Sequence, residues 1–467
     1  KYAGAYVKEP KPGRYDWVVN FDLNSLYPHL IMQYNISPET LWETRHSSAS
    51  VERLLNQDVE INPDFSTCAN GAQYRKDIRG FLPEIMQKIY DERVQSKKLM
   101  LMAKQEYEKT PTKELEKAIS KYNNIQMARK IQLNSAYGAI GNQYFRYYNL
   151  ANAEAITLSG QVSIRWIENK MNEYLNKLLK TDGEDYVIAS DTDSIYLCLD
   201  SLVRTVFGDK EVSQEKIVSF LDKACKEKIE PFIDRSYEEL ATYVNAYDQK
   251  MFMKRENIAD RGIWTAKKRY ILNVWNSEGV QYAKPKLKMM GIEAVKSSTP
   301  APCRTAIKDA LNIMMSGEND ELISFIDRFK DEFYSLPPED IAFPRSVNGI
   351  TKYKSKTDVY SKGCPLHVRG TLLYNFYVTK QRLEHKYPLV QEGEKIKYLF
   401  LKQKDNKNYT RENVISFLNT FPRELGLENC IDRKAQFQKS FLDPLQIITN
   451  VIGWETEKIA NLEFLFA

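Results

Sequence analysis

The chain has 467 residues, which is enough for about three domain-sized units. Its hydrophobic share of 43% and charged share of 28% are those of a globular protein, and the sequence contains no membrane-spanning apolar run and no signal peptide. The net charge of +5, from 67 Lys and Arg against 62 Asp and Glu, is too small to indicate nucleic-acid binding by itself. Because the chain begins with Lys1 rather than Met, we expect it to be a piece or a processed product of a longer protein.

The cysteines and histidines exclude some classes of site. Six Cys show no Cys-x-x-Cys spacing and four His form no closely spaced pair, which argues against a zinc site or a disulfide framework and fits a reducing compartment. The Gly-x4-Gly-Lys-Ser/Thr loop and the Gly-x-Gly-x-x-Gly fingerprint are also absent, which argues against an ATPase or a kinase. Phosphate binding would therefore depend on side chains and metal ions.

In chain order, the sequence predicts a strand that ends in polar residues, a hairpin of two long helices, a third helix and a further strand. The hairpin turns at 110–112, where Thr112 is the expected N-cap of the second helix. The predicted elements are a strand at 15–22, helices at 84–109, 113–135 and 161–180, and a strand at 263–275. Apolar residues at helical spacing predict one more helix through Leu322, Ile326, Phe329 and Phe333.

Three carboxylates stand at the ends of predicted strands. Asp191 and Asp193 lie two residues apart in a tight turn between two apolar runs, and Asp22 ends the strand at 15–22. Two acids at this spacing in extended backbone would point to one side of a sheet. Carboxylates held so close repel each other unless a cation neutralises them, so the pattern predicts two divalent ions for phosphoryl transfer, with the carbonyl of Leu23 as an added ligand. A lone Asp-x-Asp would be weak, because turns are rich in Asp.

The predicted helical hairpin carries cations on one face of each helix. Arg93 and Lys97 are four residues apart, and Lys130, Asn134 and Tyr137 follow one another at i, i+4 and i+7. Such a wall suits a polyphosphate. The competing interpretation is a solvated charged face, which is the usual place of Lys on a helix. That interpretation is weakened by Asn134 and Tyr137, which share the helix face of Lys130.

Basic residues cluster again in the second half of the chain. The run from Lys267 to Tyr270 places three cations and an aromatic on the predicted strand, and Lys284, Lys286, Lys288 and Lys296 follow. Such runs track a phosphate backbone without reading its sequence, although a charged edge strand is the alternative for any one residue. A second basic patch comprises Lys352, Tyr353, Lys354, His367 and Arg369.

Taken together, these segments resemble the motifs of the family B DNA polymerases, and most of all those of the replicative polymerases of large tailed bacteriophages. The segment 22–28 resembles motif A, 130–138 motif B, 186–196 motif C, and 267–270 the Lys-Lys-x-Tyr element. Residues 2–5 resemble the segment that links the exonuclease and polymerase modules. The motifs stand in family order and cover nearly the whole chain.

The resemblance implies an α+β fold shaped like a right hand, with an antiparallel-sheet palm, helical-hairpin fingers and a mostly helical thumb. The expected divisions are the first part of the palm at 1–82, the fingers at 83–141, the second part of the palm with the catalytic hairpin at 142–291, and the thumb with a C-terminal tail at 292–467.

The resemblance also implies roles for single residues. Asp22, Asp191 and Asp193 would be catalytic, with Asp191 the auxiliary carboxylate. Two Mg²⁺ ions, which Mn²⁺ or Ca²⁺ can replace, would be held by Asp22, Leu23, Asp193 and Glu256. The incoming deoxynucleoside triphosphate would be bound by Ser25, Leu26, Tyr27, Arg93, Lys97, Lys130 and Asn134, with the ring of Tyr27 excluding a 2′-hydroxyl. The primer–template DNA would be bound by Tyr137, Gly138, Lys267, Lys268, Arg269, Tyr270, Lys296, Lys352, Tyr353 and Arg369.

The apolar tail at the end of the sequence has two interpretations. The resemblance implies a sliding-clamp contact through Leu462, Phe464, Leu465 and Phe466. An ordinary terminus docked on the thumb is the alternative, since chain ends are usually loose unless something ties them down.

Three features depart from the family pattern. His29 follows Pro28 where relatives carry a small residue, and the fingers hairpin is shorter than in the phage relatives. The Asp-x-Glu of a proofreading exonuclease is lacking near the N-terminus. We therefore expect DNA extension without correction, with an exonuclease module upstream or in a separate chain.

The sequence thus predicts a DNA-templated DNA polymerase that extends a primer 3′-OH by two-metal phosphoryl transfer, in the cytoplasm of an infected bacterial host and without a membrane partner. Two alternatives stay open. One is a palm-type reverse transcriptase or RNA polymerase, against which Tyr27 and the segment 134–138 argue. The other is a nucleic-acid-binding polymerase fragment without activity of its own, against which the presence of all three carboxylates argues.

Overall fold

The computed structural model describes residues 2–208, 210–402 and 412–458, and these form two compact units. Of the described residues, the first unit takes those within 1–10, 15–260 and 274–286, and the second those within 11–14, 261–273 and 287–467. The domain divisions expected from the sequence are not tested by this partition and stay a prediction.

The elements within the described residues are numbered in chain order. The helices are α1 Leu26–Tyr34, α2 Val51–Leu55, α3 Phe81–Lys109, α4 Lys113–Ile140, α5 Leu150–Leu179, α6 Asp200–Phe207, α7 Gln214–Ala224, α8 Glu230–Tyr243, α9 Ala301–Ser316, α10 Asn319–Ser335, α11 Pro338–Ile341, α12 Ile350–Tyr353, α13 Leu366–Lys380, α14 Arg433–Phe437 and α15 Asp443–Ile452. The strands are β1 Gly13–Leu23, β2 Phe65–Thr67, β3 Gln73–Arg75, β4 Val187–Asp191, β5 Ser194–Cys198, β6 Met253–Ala266, β7 Arg269–Ser277, β8 Val280–Met290, β9 Phe343–Ser346, β10 Lys395–Phe400 and β11 Val414–Phe417.

Three sheets organise these strands. The largest has the order β4-β5-β1-β6-β7-β8, and within it β5 pairs antiparallel with both β4 and β1. A three-stranded sheet has the order β11-β10-β9 with antiparallel pairs, and β2 pairs antiparallel with β3. The predicted α+β class with antiparallel sheets is therefore confirmed.

The core of the first unit lies between the largest sheet and the helices packed on it. Val19 and Phe21 lie on one face of β1 and are fully buried, and Val18 and Asn20 on the opposite face are buried as well. The long helix α5 buries a nearly continuous face, which includes Ile156, Ile164 and Ile167. These contacts fix the ends of β1, β4 and β5, which is where the predicted carboxylates stand.

The second unit has a separate core rich in aromatic rings. Phe329 and Phe333 of α10 contact Phe437 and Phe441, with ring centroids 4.8 to 6.0 Å apart. The predicted apolar stripe of Leu322, Ile326, Phe329 and Phe333 is buried along α10, which confirms that helix.

The predicted helical hairpin is confirmed, with two boundaries displaced, the first of them the start of α3 at Phe81 rather than Glu84. The helices α3 and α4 pack against each other, and the side-chain oxygen of Thr112 accepts a hydrogen bond from the backbone N–H of Leu115 at 3.2 Å, as expected of an N-cap. The second helix runs on to Ile140 instead of ending near residue 135. The reason is packing, because Leu133 and Ile140 are both buried two turns apart on one helical face.

The predicted single strand at 263–275 is wrong. The chain forms the two strands β6 and β7 there, and it turns between them at Lys267 and Lys268. Lys268 adopts a left-handed conformation with φ +58°, which a lysine seldom does, so the turn lacks the Gly or Asn that normally signals one. The predicted helix at 161–180 also begins earlier, at Leu150, where the side chain of Asn149 caps it.

Two further findings concern the chain as a whole. The six cysteines all lie within the described residues and are free thiols. Among the helices that the structure describes, none combines the length and the apolar character that crossing a membrane requires.

The buried His29 makes the stability of the first unit depend on pH. Its ring lies edge-on to Tyr90 with centroids 4.3 Å apart, and its Nδ1 is 3.0 Å from the carbonyl oxygen of Ser25. Burial lowers the pKa of His29 to about 4, and the cations Lys250 and Arg93 add to this. Since an unfolded histidine has a pKa near 6.5, the unfolded chain binds the proton first as the pH falls.

We therefore predict that lowering the pH from 7 to 5 removes about 2 kcal/mol of unfolding free energy through His29 alone. His29→Asn keeps a hydrogen-bond donor but cannot titrate, so its unfolding free energy should vary less with pH than that of the parent protein. Urea unfolding at pH 5, 6 and 7 measures this, with His385→Asn at an exposed position as the control. The same pH dependence in the parent and in His29→Asn would contradict the assignment.

Candidate active site

The first unit contains a cavity of about 670 Å³ that brings several sequence-distant segments together. It is lined from the end of β1, the start of α1, the helices α3 and α4, the β4–β5 turn, the strand β6 and the β7–β8 turn. The predicted site residues among its lining are Asp22, Leu23, Ser25, Leu26, Tyr27, Arg93, Lys97, Lys130, Asn134, Tyr137, Asp193 and Glu256.

The register of β1 against β5 places two of the predicted carboxylates beside each other. Asp22 stands opposite Ser194, and the backbone N–H of Leu23 donates to the carbonyl of Asp193 at 2.8 Å. Asp22 and Asp193 both line the cavity. The two acids are 171 positions apart in the sequence (193 − 22), so the strand pairing alone makes them neighbours.

The prediction that extended backbone points Asp191 and Asp193 to one side of the sheet is wrong. Thr192 between them has φ +60°, so the backbone is not extended and the alternation of strand side chains does not apply. The turn is instead held by the N-terminal segment, because the N–H of Thr192 donates to the carbonyl of Tyr6 at 2.9 Å and Val7 forms an isolated β-bridge with Asp191. Asp191 is not among the residues that line the cavity.

Electrostatic repulsion within the acid group appears in the titration of Asp193. The pKa of this carboxyl is raised to about 6, mainly by burial and also by the negative charges of Asp191 and Glu256, whereas its backbone hydrogen bond and the cation of Lys130 oppose the increase. Glu256 accepts a hydrogen bond from the buried amide of Asn20 at 2.8 Å, which orients it. A positive ion near Asp193 would therefore relieve a repulsion that the fold itself creates.

The donor set fits a magnesium ion only if it includes more than carboxylates. No group of three or more His, Cys, Asp or Glu side chains placed to hold a metal ion occurs within residues 2–208, 210–402 and 412–458. Mg²⁺ is commonly bound through one or two carboxylates, with further oxygens from the backbone, water and substrate phosphates. Asp22, Asp193 and the carbonyl of Leu23 match that pattern.

The helices α3 and α4 supply the cationic wall that their spacing predicted. Arg93 and Lys97 line the cavity from α3, and Lys130 and Asn134 line it from α4. Arg93 donates from Nη1 to the hydroxyl of Ser25 at 2.7 Å, and burial lowers the pKa of its guanidinium. Its buried Nε has no hydrogen-bond partner in the described structure, which leaves one donor for another ligand.

Sequence reasoning missed the rest of this wall. The same helical faces continue toward the tip of the hairpin, and the added lining residues are Met100, Lys104, Asn123, Gln126 and Met127. Lys104 is seven residues after Lys97, so the 3.6-residue spacing that linked Arg93 to Lys97 was a signal for it. Glu278 was also missed, because nothing in the sequence near the β7–β8 turn indicates that it reaches this cavity.

The rings of Tyr27 and Tyr137 are neighbours, with centroids 4.6 Å apart and planes inclined at 51°. The hydroxyl of Tyr137 is 3.0 Å from that of Tyr2. Gly160 of α5 makes room for this arrangement, since a Cβ atom there would lie 3.5 Å from the Tyr27 ring and 3.3 Å from Leu30. Tyr27 is thus half-buried at the cavity wall, with α5 behind it.

The predicted DNA-binding residues of the second unit do not form one surface of free cations. Lys267 and Lys268 are exposed at the β6–β7 turn, but Tyr270 is only 4% exposed and its ring stacks on Trp264, with centroids 5.3 Å apart. Arg269 forms a two-pronged ion pair with Glu293 at 3.0 and 2.9 Å. Because Tyr270 is buried and Arg269 is paired with Glu293, both residues have fewer atoms available to contact DNA.

The remaining candidates of the second unit are also partly engaged. Lys296 pairs with the same Glu293 at 2.9 Å, and Arg369 donates to Asn413. Lys352 lies over the ring of Tyr353 at 5.1 Å. Lys296 lines a cavity of about 200 Å³ with Arg345 and Lys439, neither of which the sequence indicated. The predicted clamp-binding residues Leu462, Phe464, Leu465 and Phe466 lie outside the described residues.

Comparison with known proteins identifies the family. A family model described as DNA polymerase family B matches residues 1–420, which is most of the chain. The chain is 36% identical over 519 aligned positions to a DNA-directed DNA polymerase of Escherichia phage RB69, and 34% identical over 518 positions to that of Enterobacteria phage T4. Both alignments cover 100% of this chain.

Another relative matches at lower identity and over a smaller part of the chain. The chain is 26% identical over 363 positions to a DNA polymerase of Thermococcus sp. strain 9oN-7, an alignment that covers 76% of this chain and 38% of the relative. The chain spans 57% of the length of each phage relative. The resemblance that the motifs indicated is therefore confirmed.

Proposed function

Since the chain belongs to DNA polymerase family B, we propose that it catalyses the DNA-templated addition of deoxynucleotides to a primer 3′-hydroxyl. The observation that carries this proposal is the cavity of the first unit, in which strand-end carboxylates and helix-borne cations line one space. Phosphoryl transfer needs both kinds of group, because the carboxylates must help to activate a hydroxyl and the cations must bind a polyphosphate.

The right-hand division of the chain is part of the proposal. In it, α3 and α4 form the fingers, the strands and helices around β1, β4 and β5 form the palm, and residues 292–467 form the thumb with its tail. The second unit contains the three-stranded sheet β9-β10-β11, so the proposed thumb is less helical than the sequence suggested.

Two divalent ions, Mg²⁺ by preference, would be held by Asp22 and Asp193 with the carbonyl of Leu23, and Glu256 would stand behind them. When bound, such ions would lower the pKa of the primer hydroxyl and neutralise charge on the triphosphate. Burial and neighbouring negative charge raise the pKa of Asp193 to about 6, and a bound cation would stabilise its ionised form. The hydrogen bond from Asn20 would keep Glu256 aimed at the site.

The triphosphate would lie against the cationic wall. Arg93 would bind it with the guanidinium that Ser25 already orients, and Lys97 and Lys130 would contribute point charges. Asn134 would also contact the triphosphate, and Tyr137, one turn further along α4, would lie under the nascent base pair. Tyr27 would support the sugar, and its ring would leave no space for a 2′-hydroxyl.

Further partners follow from family membership and are proposals here. Primer–template DNA would contact Lys267, Lys268 and the basic residues of the second unit. A sliding clamp would bind the tail, and an exonuclease module would lie upstream or in a separate chain. The two phage relatives support action in the cytoplasm of an infected bacterial host.

We predict that Asp22→Ala and Asp193→Ala each slow nucleotide addition roughly a thousandfold or more, because each removes several kcal/mol of transition-state stabilisation. Affinity for primer–template should change little, since these acids act on the chemistry. Single-turnover extension and fluorescence anisotropy measure the two effects. Asp77→Ala, at a surface ion pair with Arg75, is the control, and extension within tenfold of the parent by either active-site variant would refute the assignment.

Lys130→Ala should raise the KM for the triphosphate and slow addition, while primer–template affinity stays nearly constant. The physical reason is the loss of a cation that lines the cavity and acts on Asp193. Lys117→Ala is a matched control, because Lys117 is exposed on the same helix and does not line the cavity. If Lys130→Ala and Lys117→Ala share the nucleotide dependence of the parent, Lys130 is an ordinary solvated lysine.

Tyr27→Ala should increase ribonucleotide use relative to deoxyribonucleotide use, because removal of the ring opens space at the 2′ position. Tyr27→Phe should keep the selection, since it retains the ring. The competing explanation makes Tyr27 a core aromatic, whose loss would cost roughly 3–5 kcal/mol of stability. Measuring kcat/KM for both sugars together with Tm separates the two, and an unchanged sugar ratio with a lowered Tm would support the core role.

A further inference from the structure

An ion pair inside the candidate active site joins the fingers hairpin to the sheet. Nζ of Lys97, on α3, lies 3.0 Å from Oε1 of Glu278, in the turn between β7 and β8. Both residues line the cavity. Lys97 is one of the cations proposed to bind the triphosphate. The carboxylate of Glu278 therefore occupies the position at which the substrate anion is expected.

The carboxylate of Glu278 also acts on the neighbouring cation. Burial lowers the pKa of Arg93, and the negative charge of Glu278 opposes that decrease. Glu278 therefore lies within electrostatic reach of Arg93 and Lys97, two of the three cations that α3 presents to the cavity. A single internal carboxylate partly neutralises the wall that would bind a polyphosphate.

The backbone holds Glu278 at this position despite an unfavourable conformation. Its φ is +49°, a left-handed value that a two-residue hairpin turn usually assigns to Asn, Asp or Gly, and Gly279 follows with φ +88°. The N–H of Glu278 donates to the carbonyl of Glu256 at 2.6 Å, which ties the turn to the strand that carries the proposed metal-site acid. A glutamate at such a position is an outlier that invites a functional explanation.

We propose, building on the polymerase function above, that Glu278 competes with the incoming triphosphate for Lys97 and thereby sets the affinity for nucleotide. A triphosphate that engages Lys97 replaces the carboxylate at the ammonium group, and Glu278 turns to solvent. Nucleotide binding therefore includes the free energy of breaking this ion pair.

The size of the effect follows from exposure. The side chains of Lys97 and Glu278 are 39% and 46% exposed, and ion pairs in such surroundings are weak. Removing the carboxylate should accordingly lower the KM for the triphosphate about twofold to fivefold. The difference should shrink as the salt concentration rises, because solvent-exposed charges are screened.

The sign of the change separates this proposal from its main rival. If Glu278 served to hold Lys97 in the orientation that binds phosphate, its neutralisation would raise the KM. If the pair were a surface contact without connection to substrate, the KM would not change. A fall in KM is the result that competition requires.

The experiment compares the parent protein with Glu278→Gln in single-nucleotide extension of a primed template, at low and at high salt. Gln keeps the length and shape of the side chain and removes only its charge. Glu278→Asn is a second variant with a residue that the left-handed position favours, so a folding defect common to both is not expected. The matched control is Glu92→Gln, which breaks the 2.7 Å ion pair between Glu92 of α3 and Arg129 of α4. Neither residue of that pair lines the cavity.

We expect a lower KM with kcat nearly unchanged in both Glu278 variants, and parent values in Glu92→Gln. In a Lys97→Met background, Glu278→Gln should lose its effect, because the cation for which it competes is gone. An unchanged or higher KM in Glu278→Gln, or the same decrease without Lys97, would overturn the proposal. Equilibrium binding of a deoxynucleoside triphosphate, measured by calorimetry on the same variants, tests the competition independently of catalysis, so inactivity of the parent would count against the polymerase proposal alone.

Discussion

The candidate active site depends on one backbone contact, the hydrogen bond from the N–H of Leu23 to the carbonyl of Asp193 at the ends of β1 and β5. A shift of this register by one residue would turn Asp22 to the opposite face of the sheet, away from Asp193. Both faces of this stretch of β1 are buried, and such a shift would exchange the apolar face of Val19 and Phe21 with the polar face of Asn20, whose amide donates to Glu256 at 2.8 Å. The packing of β1 on both of its faces therefore decides where the negative charge of the site is placed.

Once the positions of the carboxylates are fixed, the remaining charged residues of the cavity partly balance their negative charge and one another. Burial raises the pKa of Asp193 to about 6 and the negative charges of Asp191 and Glu256 contribute to the increase, whereas the cation of Lys130 on α4 opposes it. On the other wall, burial disfavours the charged form of Arg93, and the negative charge of Glu278 favours it. Each wall thus contains like charges and is partly neutralised by a residue from another element. Under the proposed function, such an arrangement would bind substrate and metal ions by exchanging internal charge partners for external ones.

Much of this could be predicted from sequence, and the reasons are local. Helical spacing linked Arg93 to Lys97 and Lys130 to Asn134, and strand-end positions marked Asp22, so the cavity contains the residues that these patterns selected. The errors have local causes too. Lys268 turns the chain with a left-handed conformation that its residue type does not signal, so two strands were taken for one. The burial of Tyr270 and the pairing of Arg269 with Glu293 depend on tertiary packing, which no short motif records.

Glu278 illustrates why the remaining part of the site could not be found from sequence. It belongs to no motif, stands 181 positions after Lys97 (278 − 97), and occupies a turn whose preferred residues are different. Only the pairing of β6 with β7, and the hydrogen bond from Glu278 to the carbonyl of Glu256, carry it to the cavity. The residues that tune such a site are therefore best sought among the unexpected charges that line its cavity in the folded structure.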